Sequence, residues 1–459
     1  MKAYITDYNN GKFWEEQNDF NAGIDAMRTV RIFKDRQYQR VKGFGGAFTE
    51  ASGWCMSKLA PACRAEFIKA YFGENGLRYN LGRVHIGSCD FALGNYEYLK
   101  NGEEPEKFSI ARDDEYIVPM LKAAQNEAGD ICLLASPWSP PAYMKTNGDM
   151  NNGGQLKTEC YDAWADYIVR FILEYKKRGI NISMLTVQNE PAAVQTWDSC
   201  IYSGTEEGQF ISNALGPALA GAGLGDIKIY IWDHNKEAMY DRVSETLKVP
   251  GAEQYVAGVA FHWYTGDHFE AVRVTKEAFP ELDLIFTEGC VEYSRFADSD
   301  EIRKAEMYAH DMLGNLNAGA TAITDWNLLL DSKGGPNHVQ NFCAAPIMCT
   351  ENFEGIEKRL SYYYIGHFSR YIKRGAVRLA VSRYTDGIEA VSFVNPPDAA
   401  VCAGTSEAAA PSQTGIAGHG EYVTVLLNRT CEDRTFTLTD GTEGYWITVP
   451  AHAIMTVVE

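Results

Sequence analysis

The amino-acid sequence predicts an α/β fold, a (β/α)₈ TIM barrel with an attached all-β sandwich domain, and two observations support this prediction. Eight short apolar runs alternate with helical patterns over most of the chain. Beyond about residue 374 the helical patterns stop, and strand-like runs separated by turn residues continue to the C-terminus. Eight β-α units in series favour a closed parallel barrel. Short strands with turn punctuation favour a small β-domain.

The barrel prediction depends on the order of strands and helices along the chain. The apolar runs predict strands over 41–50, 77–86, 131–138, 182–190, 227–235, 256–264, 283–290 and 322–330. Helical patterns lie at 57–72, 112–127, 160–178, 206–221, 236–248, 267–279, 299–317 and 357–372. In the clearest helix, 160–178, apolar residues recur on one face, and Gly179 follows as a stop signal. An open doubly wound sheet is the alternative, but its G-x-G-x-x-G fingerprint does not follow the early strands.

The second domain is predicted from the strand-like runs outside the barrel. In the C-terminal part they cover 376–381, 388–395, 422–429, 434–440 and 443–459. Residues 29–36 have the same character, so the N-terminal segment is expected to add strands to this domain. The stretch 398–420, rich in Ala, Gly, Pro and Ser, is predicted to be a flexible loop. We therefore divide the chain into an N-terminal segment (1–40), a catalytic barrel (41–373) and a C-terminal β-sandwich (374–459).

Composition narrows the range of partners. The 459 residues carry a formal net charge of −19, which argues against binding to nucleic acid or anionic lipid surfaces. No apolar run approaches the roughly 20 residues of a membrane span. The first 20 residues contain no apolar signal-peptide core, so a cytoplasmic location is expected, although a secreted mature chain is compatible with the sequence. The 11 cysteines form no C-x-x-C pair and are expected to be reduced thiols. The sequence does not indicate the oligomeric state.

Chemistry on a (β/α)₈ barrel belongs at the C-terminal ends of the strands. Two carboxylates fall there, Glu190 after strand four and Glu288 after strand seven. Other polar and aromatic residues near strand ends are Arg83, Asp90, Trp138, Asn189, Asp233, His234, His262, Trp263, Tyr264, Asp325, Trp326 and Asn327. Hydrolysis of a sugar acetal needs one carboxyl to protonate the leaving oxygen, a second to attack or support the reacting carbon, and aromatic surfaces to hold the ring. The strand ends therefore predict a glycosidase site.

The stretch "ISMLTVQNEPAAV" (182–194) shows how such a site would be built. Asn189 can hydrogen-bond the sugar 2-OH beside Glu190, and Pro191 ends the strand. A strand-ending turn with an exposed carboxylate is the alternative. Because Glu288 would lie close by, its negative charge is expected to raise the pKa of Glu190.

The remaining candidates have structural alternatives. Asp90 can cap a turn, and Arg83 is expected to pair with a strand-end carboxylate rather than to react. Each tryptophan can be part of the core instead of a sugar platform. Asp233, His234 and His262 can make purely structural hydrogen bonds.

Motifs over nearly the whole chain resemble glycoside hydrolase family 30, the glucosylceramidase family. They run from "GFGGAFTEA" and "YNLGRVHIGSCDF" through "SPWSPPAYMKTNG", "VQNEP", "VAFHWY" and "FTEGC" to "TDWNLLLDSKGGPNHV". The resemblance implies a retaining β-glycosidase acting on a carbohydrate or glycolipid, without cofactor or metal. It implies Glu190 as acid/base and Glu288 as nucleophile. The implied sugar-pocket residues are Arg83, Asp90, Trp138, Asn189, His262, Trp263, Tyr264 and Trp326.

Several functions remain open from the sequence. The family also holds β-xylosidases, β-fucosidases and β-1,6-glucanases, and the group attached to the sugar would be bound by loops, which do not reveal it. A metal-dependent hydrolase could use His234, His262 and Asp325, but the first strand lacks the H-x-H pair that would complete the cage. A non-catalytic carbohydrate-binding protein would keep the aromatics but would have no need of two glutamates.

Overall fold

The structure is a computed structural model that describes residues 1–397 and 420–459. The predicted flexible loop 398–420 lies outside the described residues except for Gly420. The predicted fold class is confirmed: the chain forms a closed barrel of eight parallel strands and a separate β-domain.

The barrel strands follow one another around the barrel in chain order, and the eighth pairs with the first. Every strand lies within one of the predicted apolar runs and is shorter than that run by one to five residues. In chain order, strands one to eight are Gly43–Ala47, Leu81–Ile86, Cys132–Pro137, Ile182–Thr186, Lys228–Asn235, Val256–His262, Asp283–Glu288 and Ala322–Asn327. Leu81, Leu134, Met184, Tyr230, Ala260, Ile285 and Ala322 pack together as a buried cluster from these strands. The barrel interior is therefore packed with side chains below the strand ends.

Helices connect the barrel strands and cover the outside of the barrel. They are Glu50–Lys58, Pro61–Phe72, Ile117–Ala128, Tyr161–Lys177, Gly204–Phe210, Gly216–Gly221, Met239–Leu247, Phe269–Ala278, Tyr293–Phe296, Glu301–Ala318 and Leu360–Ser369. A π-helical turn, Ile211–Leu215, joins the fifth and sixth of these.

The predicted helix 57–72 is wrong at its start. The chain forms two helices there, and the first begins at Glu50, where the Thr49 side chain accepts a hydrogen bond from the Ser52 backbone. Ala60 is extended, as expected before proline, and Pro61 opens the second helix. The sequence interpretation missed this cap because "GGAFTE" was assigned as one strand.

The β-domain is built from both ends of the chain. Its nine strands lie in one sheet in the order Lys12–Gln17, Lys2–Asp7, Ala453–Val458, Tyr422–Asn428, Ile388–Val394, Val377–Tyr384, Thr29–Arg40, Arg434–Thr439 and Gly444–Val449. The expectation that the N-terminal segment adds strands is confirmed. Ala3, Ile5, Val30, Leu379, Leu426, Phe436, Ile447 and Met455 belong to one buried cluster inside this domain.

The other face of the β-domain packs on the barrel. Val391, Phe393, Val425 and Ile454 belong to the same buried apolar cluster as the barrel helices. The β-domain therefore has a buried cluster of its own on one face of the sheet and joins the barrel's cluster on the other. In the residues that the structure describes, no helix is long and apolar enough to cross a membrane.

Candidate active site

A pocket opens at the C-terminal mouth of the barrel, where strand-end residues meet loop residues. Its lining consists of Asp90, Phe91, Trp138, Asn189, Glu190, Gln195, Trp197, His234, Asn235, Tyr264, Glu288, Cys290, Glu292, Trp326, Asn341 and Cys343. Glu190 and Glu288 both line this pocket, so the fold brings together two carboxylates that are 98 positions apart in the sequence.

Glu190 lies just past strand four in a left-handed backbone conformation, with φ of 47°. Its backbone N–H donates to the Asp233 carbonyl at 2.9 Å, and the N–H of Asn189 donates to Pro137 at 2.8 Å. Trp232 and Asp233 also have positive φ, at an irregularity in the pairing of strand five with strand six. Non-glycine residues adopt this conformation rarely, and the surrounding hydrogen bonds hold it here. The bent strand ends turn the Glu190 side chain toward the pocket.

Glu288 ends strand seven, is 7% exposed, and is held by two donors. Arg83 Nη1 donates to its Oε2 at 2.7 Å, and the Tyr264 hydroxyl donates to its Oε1 at 2.8 Å. Each oxygen therefore has a fixed partner, and the carboxylate is oriented at the pocket wall. Hydrogen bonds of this kind favour the ionised form that a nucleophile needs.

Asp233 lies under the pocket and joins the two glutamates through hydrogen bonds. Its Oδ2 accepts from Arg83 Nη2 at 2.7 Å, and its Oδ1 contacts His262 Nε2 at 3.1 Å. His262 Nδ1 in turn lies 3.2 Å from Glu190 Oε1. A buried chain therefore runs from Glu190 through His262, Asp233 and Arg83 to Glu288. The Arg83 charge holds the pKa of the Asp233 carboxyl well below its usual range despite burial.

The expectation that Glu288 raises the pKa of Glu190 is contradicted by this chain. Burial alone would raise the pKa of Glu190, but the hydrogen bond from His262 and the charges of His234 and His262 lower it to about 2. Burial would lower the pKa of His262, but the Glu288 charge and the bonds to Asp233 and Glu190 raise it to about 9. Burial also raises the pKa of Glu288, against the charges of His262 and Arg83. His262 and Glu190 thus share one proton as a pair at neutral pH.

Trp138 and Trp326 form an aromatic wall of the pocket. Their rings stack with centroids 5.3 Å apart and planes 23° apart, and the Arg83 guanidinium lies 4.7 Å from the Trp138 ring centroid. On the pocket lining beside this wall, Asp90 accepts hydrogen bonds from the side chains of Asn337 and Asn341 at 3.3 and 3.2 Å. Burial and the Glu288 charge raise the pKa of Asp90 to about 8. An aromatic wall beside a polar cluster suits a sugar ring, which has apolar faces and a hydroxyl rim.

The structure places the ten predicted site residues at three levels. Asp90, Trp138, Asn189, Glu190, Tyr264, Glu288 and Trp326 line the pocket. Arg83 and His262 are fully buried beneath it and act on the lining carboxylates. Trp263 does not line the pocket: its Nε1 donates to the Cys290 carbonyl at 3.3 Å and its ring packs on Tyr308. Successive residues of an extended chain face opposite sides, so Trp263 points outward between His262 and Tyr264.

Several lining residues were missed by the sequence interpretation because they lie beyond the ends of the barrel strands. Gln195 Nε2 lies 3.4 Å from Glu190 Oε2, and Trp197, Glu292 and Asn341 complete the rim. For the first two, the signal was their position, since "QTW" follows the Glu190 turn within a few residues. Asp325, a ligand candidate for a metal-dependent hydrolase, is not part of the cluster that Glu190 forms with His234 and His262, and its Oδ1 accepts a hydrogen bond from the Tyr308 hydroxyl at 3.0 Å.

Comparison with known proteins assigns the family. A model described as the glycosyl hydrolase family 30 TIM-barrel domain matches residues 41–372, and the family 30 beta sandwich domain matches residues 417–457. The chain belongs to glycoside hydrolase family 30. The protein is therefore a glycoside hydrolase. This assignment replaces the two alternatives from the sequence, a metal-dependent hydrolase and a non-catalytic carbohydrate-binding protein.

The proteins to which this chain is similar differ in the activities that their names give. The chain is 33% identical to the lysosomal acid glucosylceramidase of Mus musculus, covering 94% of this chain and 84% of the relative. It is 28% identical to the endo-1,6-beta-D-glucanase neg1 of Aspergillus fumigatus, covering 78% and 76%. The crystal structure of SrfJ from Salmonella typhimurium shares 38% identity with a TM-score of 0.92 and covers 100% of this chain and 99% of SrfJ.

Proposed function

We propose that this family 30 hydrolase cleaves β-glucosides with retention of configuration, using Glu288 as the nucleophile and Glu190 as the acid/base. The observation that carries the assignment of roles is the difference between the two carboxyl groups. Glu288 receives hydrogen bonds from Arg83 and Tyr264 on its two oxygens. Glu190 instead contacts His262, with which it shares a proton.

Each carboxyl then has one task in a double displacement. Glu288 attacks the anomeric carbon and forms a covalent glycosyl-enzyme, while the proton passes from the Glu190–His262 pair through Glu190 to the leaving oxygen. Water then attacks the intermediate as Glu190 accepts its proton. Asn189, whose Oδ1 accepts from Arg83 Nη2 at 2.9 Å, presents its amide N–H₂ beside the nucleophile for the sugar 2-OH.

The pocket favours a neutral sugar. Among the described residues that line it there is no lysine or arginine, whereas Asp90, Glu190, Glu288 and Glu292 all carry carboxyl groups. A uronic acid would bring a further negative charge into this site without a partner, which is unfavourable in a buried pocket. Glucose is a neutral sugar of this kind, and the names of the glucosylceramidase relatives point to that sugar.

Azide rescue tests the assigned roles. In Glu288→Gly, azide should restore turnover of an activated aryl β-glucoside and yield the α-glucosyl azide, because it attacks in place of the missing nucleophile. In Glu190→Gly, azide should yield the β-glucosyl azide, because it attacks the glycosyl-enzyme. The opposite product in each variant would mean that the roles are exchanged.

The natural leaving group is tested with a substrate panel. Aryl β-D-glucoside, xyloside, fucoside and galactoside compare sugars at a constant leaving group. Glucosylceramide and a β-1,6-glucan then separate the two activities after which the relatives are named. A glucoside preference in the first set supports the proposal. A preference for the xyloside or fucoside would overturn the choice of sugar without affecting the catalytic roles.

A further inference from the structure

Two histidines converge on one oxygen of Glu190. His262 Nδ1 lies 3.2 Å from Glu190 Oε1, and His234 Nδ1 lies 3.5 Å from the same oxygen. Among the residues that the structure describes, this is the single group of three or more His, Cys, Asp or Glu side chains whose ligand atoms all lie within 4.8 Å of one another. The sugar reaction as proposed uses Glu190 and His262 and gives no task to His234.

The spacing of these atoms matches the edge of a tetrahedral metal site. Zn²⁺ binds histidine nitrogen and carboxylate oxygen at about 2.0–2.2 Å. Tetrahedral bonds of about 2.1 Å place neighbouring ligand atoms about 3.4 Å apart. The separations of 3.2 and 3.5 Å match two edges of such a site, and the third edge, between the two histidines, is at most 4.8 Å, so closing around one ion requires the histidine nitrogens to approach each other by up to about 1.4 Å.

The surroundings of His262 are those of a metal-binding histidine. Its other ring nitrogen, Nε2, lies 3.1 Å from Asp233 Oδ1, and a carboxylate in this position fixes the ring and, in the neutral imidazole, keeps the proton on Nε2, so that Nδ1 is the nitrogen available to a metal ion. Asp233 is itself held by the hydroxyls of Thr287 and Thr186, at 2.6 and 2.7 Å. The ligand atom is thus aimed at Glu190 by a rigid, fully buried support.

His234 supplies an independent observation. Its Nδ1 is buried and makes no hydrogen bond in the described structure, and its 3.5 Å approach to Glu190 does not meet hydrogen-bond geometry. The ring is held against Trp232, with centroids 5.0 Å apart. Buried polar atoms usually have a partner, and a cation between His234 and Glu190 would supply one.

We propose that Glu190, His234 and His262 bind one divalent transition-metal ion, Zn²⁺ or more tightly Cu²⁺, which inhibits the enzyme. Two imidazoles and a carboxylate suit these ions, and because Glu190 and His234 line the open pocket, water from the pocket would complete the shell. An ion held by both histidines would bind Glu190 at Oε1, the oxygen on which they converge, so the carboxyl group would be occupied and could not protonate a leaving group. The inference extends the function of the pocket from sugar hydrolysis to reversible metal inhibition.

Calorimetry of Zn²⁺ with the tag-free full-length protein tests binding without any sugar. We expect one site per chain that His234→Asn and Glu190→Gln each weaken at least 10-fold. The control His268→Asn removes an exposed histidine outside the cluster and should leave that site unchanged. Thermal unfolding of each variant confirms that it is folded. Equal Zn²⁺ affinity in wild type, His234→Asn and Glu190→Gln would overturn the proposal.

Crystals soaked in Zn²⁺ give a second, positional test. An anomalous peak within about 2.0–2.2 Å of the two Nδ1 atoms and Glu190 Oε1 is expected. A peak elsewhere on the protein with none at the cluster would contradict the site. In assays with an aryl glucoside, Zn²⁺ should inhibit the wild type reversibly on chelation and inhibit His234→Asn much less. Because binding is measured apart from turnover, a wrong choice of sugar would leave the metal result intact.

Discussion

At the scale of single residues, the site depends on side chains that hold the reacting carboxylates. Arg83 makes ion pairs with both Asp233 and Glu288 while fully buried. Removing it would leave the two buried carboxylates without their shared guanidinium, and breaking a buried ion pair typically costs about 3–5 kcal/mol, a large part of the stability of a domain. Tyr264 offers a cleaner test, since its loss removes a hydroxyl but no charge.

Tyr264→Phe is expected to lower kcat with little change in KM. The hydroxyl donates to Glu288 Oε1 at 2.8 Å, and a hydrogen bond to a charged group contributes about 1.5–3 kcal/mol, or roughly 10- to 100-fold in rate. Steady-state kinetics with an aryl glucoside measure the effect. Tyr384→Phe, at an exposed tyrosine of the β-domain, is the control. A Tyr264→Phe enzyme within twofold of wild type would show that Arg83 alone orients the nucleophile.

Asp325→Asn should remove a pH dependence of stability. Burial raises the pKa of Asp325 to about 8, against hydrogen bonds from the Tyr308 hydroxyl and the Trp326 N–H. The unfolded chain binds this proton only below about pH 4, so the wild type loses stability as pH rises from about 4 to about 8. Asparagine resembles the neutral form and stays neutral throughout.

The advantage of Asp325→Asn in thermal unfolding should therefore grow between pH 5 and pH 8. Asp130→Asn, at a carboxylate whose side chain is 85% exposed, is the control and should follow the wild type. A constant difference between Asp325→Asn and wild type over this range would mean that Asp325 is ionised in the folded protein.

At the scale of elements, the close packing of barrel strand one against strand two explains why the sequence of strand one is rich in glycine. Gly45 pairs with Leu81 of strand two, and a Cβ on Gly45 would lie 2.2 Å from the Leu81 carbonyl oxygen. That oxygen belongs to a neighbouring strand, which cannot move without breaking the barrel pairing. The "GFGGA" run therefore reflects close approach of two strands rather than a turn.

Gly45→Ala and Gly221→Ala form a matched pair. Gly45→Ala should destabilise the protein by about 1–3 kcal/mol or more through overpacking. Gly221 ends a surface helix, and an added Cβ meets nothing within 4 Å, so Gly221→Ala should be neutral or stabilise by up to about 1 kcal/mol. Urea denaturation of both variants measures the difference. Equal effects would show that the barrel tolerates the added methyl group by shifting strand one.

The sequence predicted the barrel strands better than the site around them. Buried parallel strands are nearly continuous apolar runs, so each of the eight could be located from the apolar pattern along the sequence. The exact ends of the helices depend on capping residues and were harder to locate. The outward direction of Trp263 depends on the alternation of side chains along strand six, which shifts if the end of the strand is assigned one residue too early or too late.

The long-range contacts of the site could not be read from the sequence. Asp233 and Arg83 are 150 positions apart in the sequence. No feature of the neighbouring sequence indicates that His262 lies between Asp233 and Glu190. That contact reverses the direction expected for the pKa of Glu190, because the hydrogen bond from His262 and the charges of His262 and His234 lower it.

At the scale of the whole molecule, His367 connects the barrel to the β-domain. It lies on the last helix and is fully buried, with Nδ1 2.9 Å from Thr456 Oγ1 and Nε2 2.8 Å from Thr6 Oγ1. The Thr456 hydroxyl donates to the His367 carbonyl, so it accepts from Nδ1–H. The Thr6 hydroxyl accepts from the Trp14 N–H and donates to Nε2. These bonds fit a neutral imidazole and leave no acceptor for a second proton.

His367→Gln should change how the stability of the whole protein responds to acid. Burial lowers the pKa of His367 to about 3, whereas an unfolded histidine titrates near 6.5. The unfolded state therefore takes up a proton that the folded state refuses. The wild type should lose up to about 1.4 kcal/mol per pH unit from this group as pH falls below about 6.5 toward 3.

The glutamine variant should be less stable than wild type at pH 8, because it cannot reproduce both hydrogen bonds, and the gap should narrow as pH falls to 5. Urea unfolding at pH 8, 7, 6 and 5 measures the gap. His268→Gln, which changes an exposed histidine, should keep the wild-type slope. A gap that stays constant or widens toward pH 5 would mean that His367 accepts a proton in the folded protein. The junction between the two domains would then tolerate a buried positive charge.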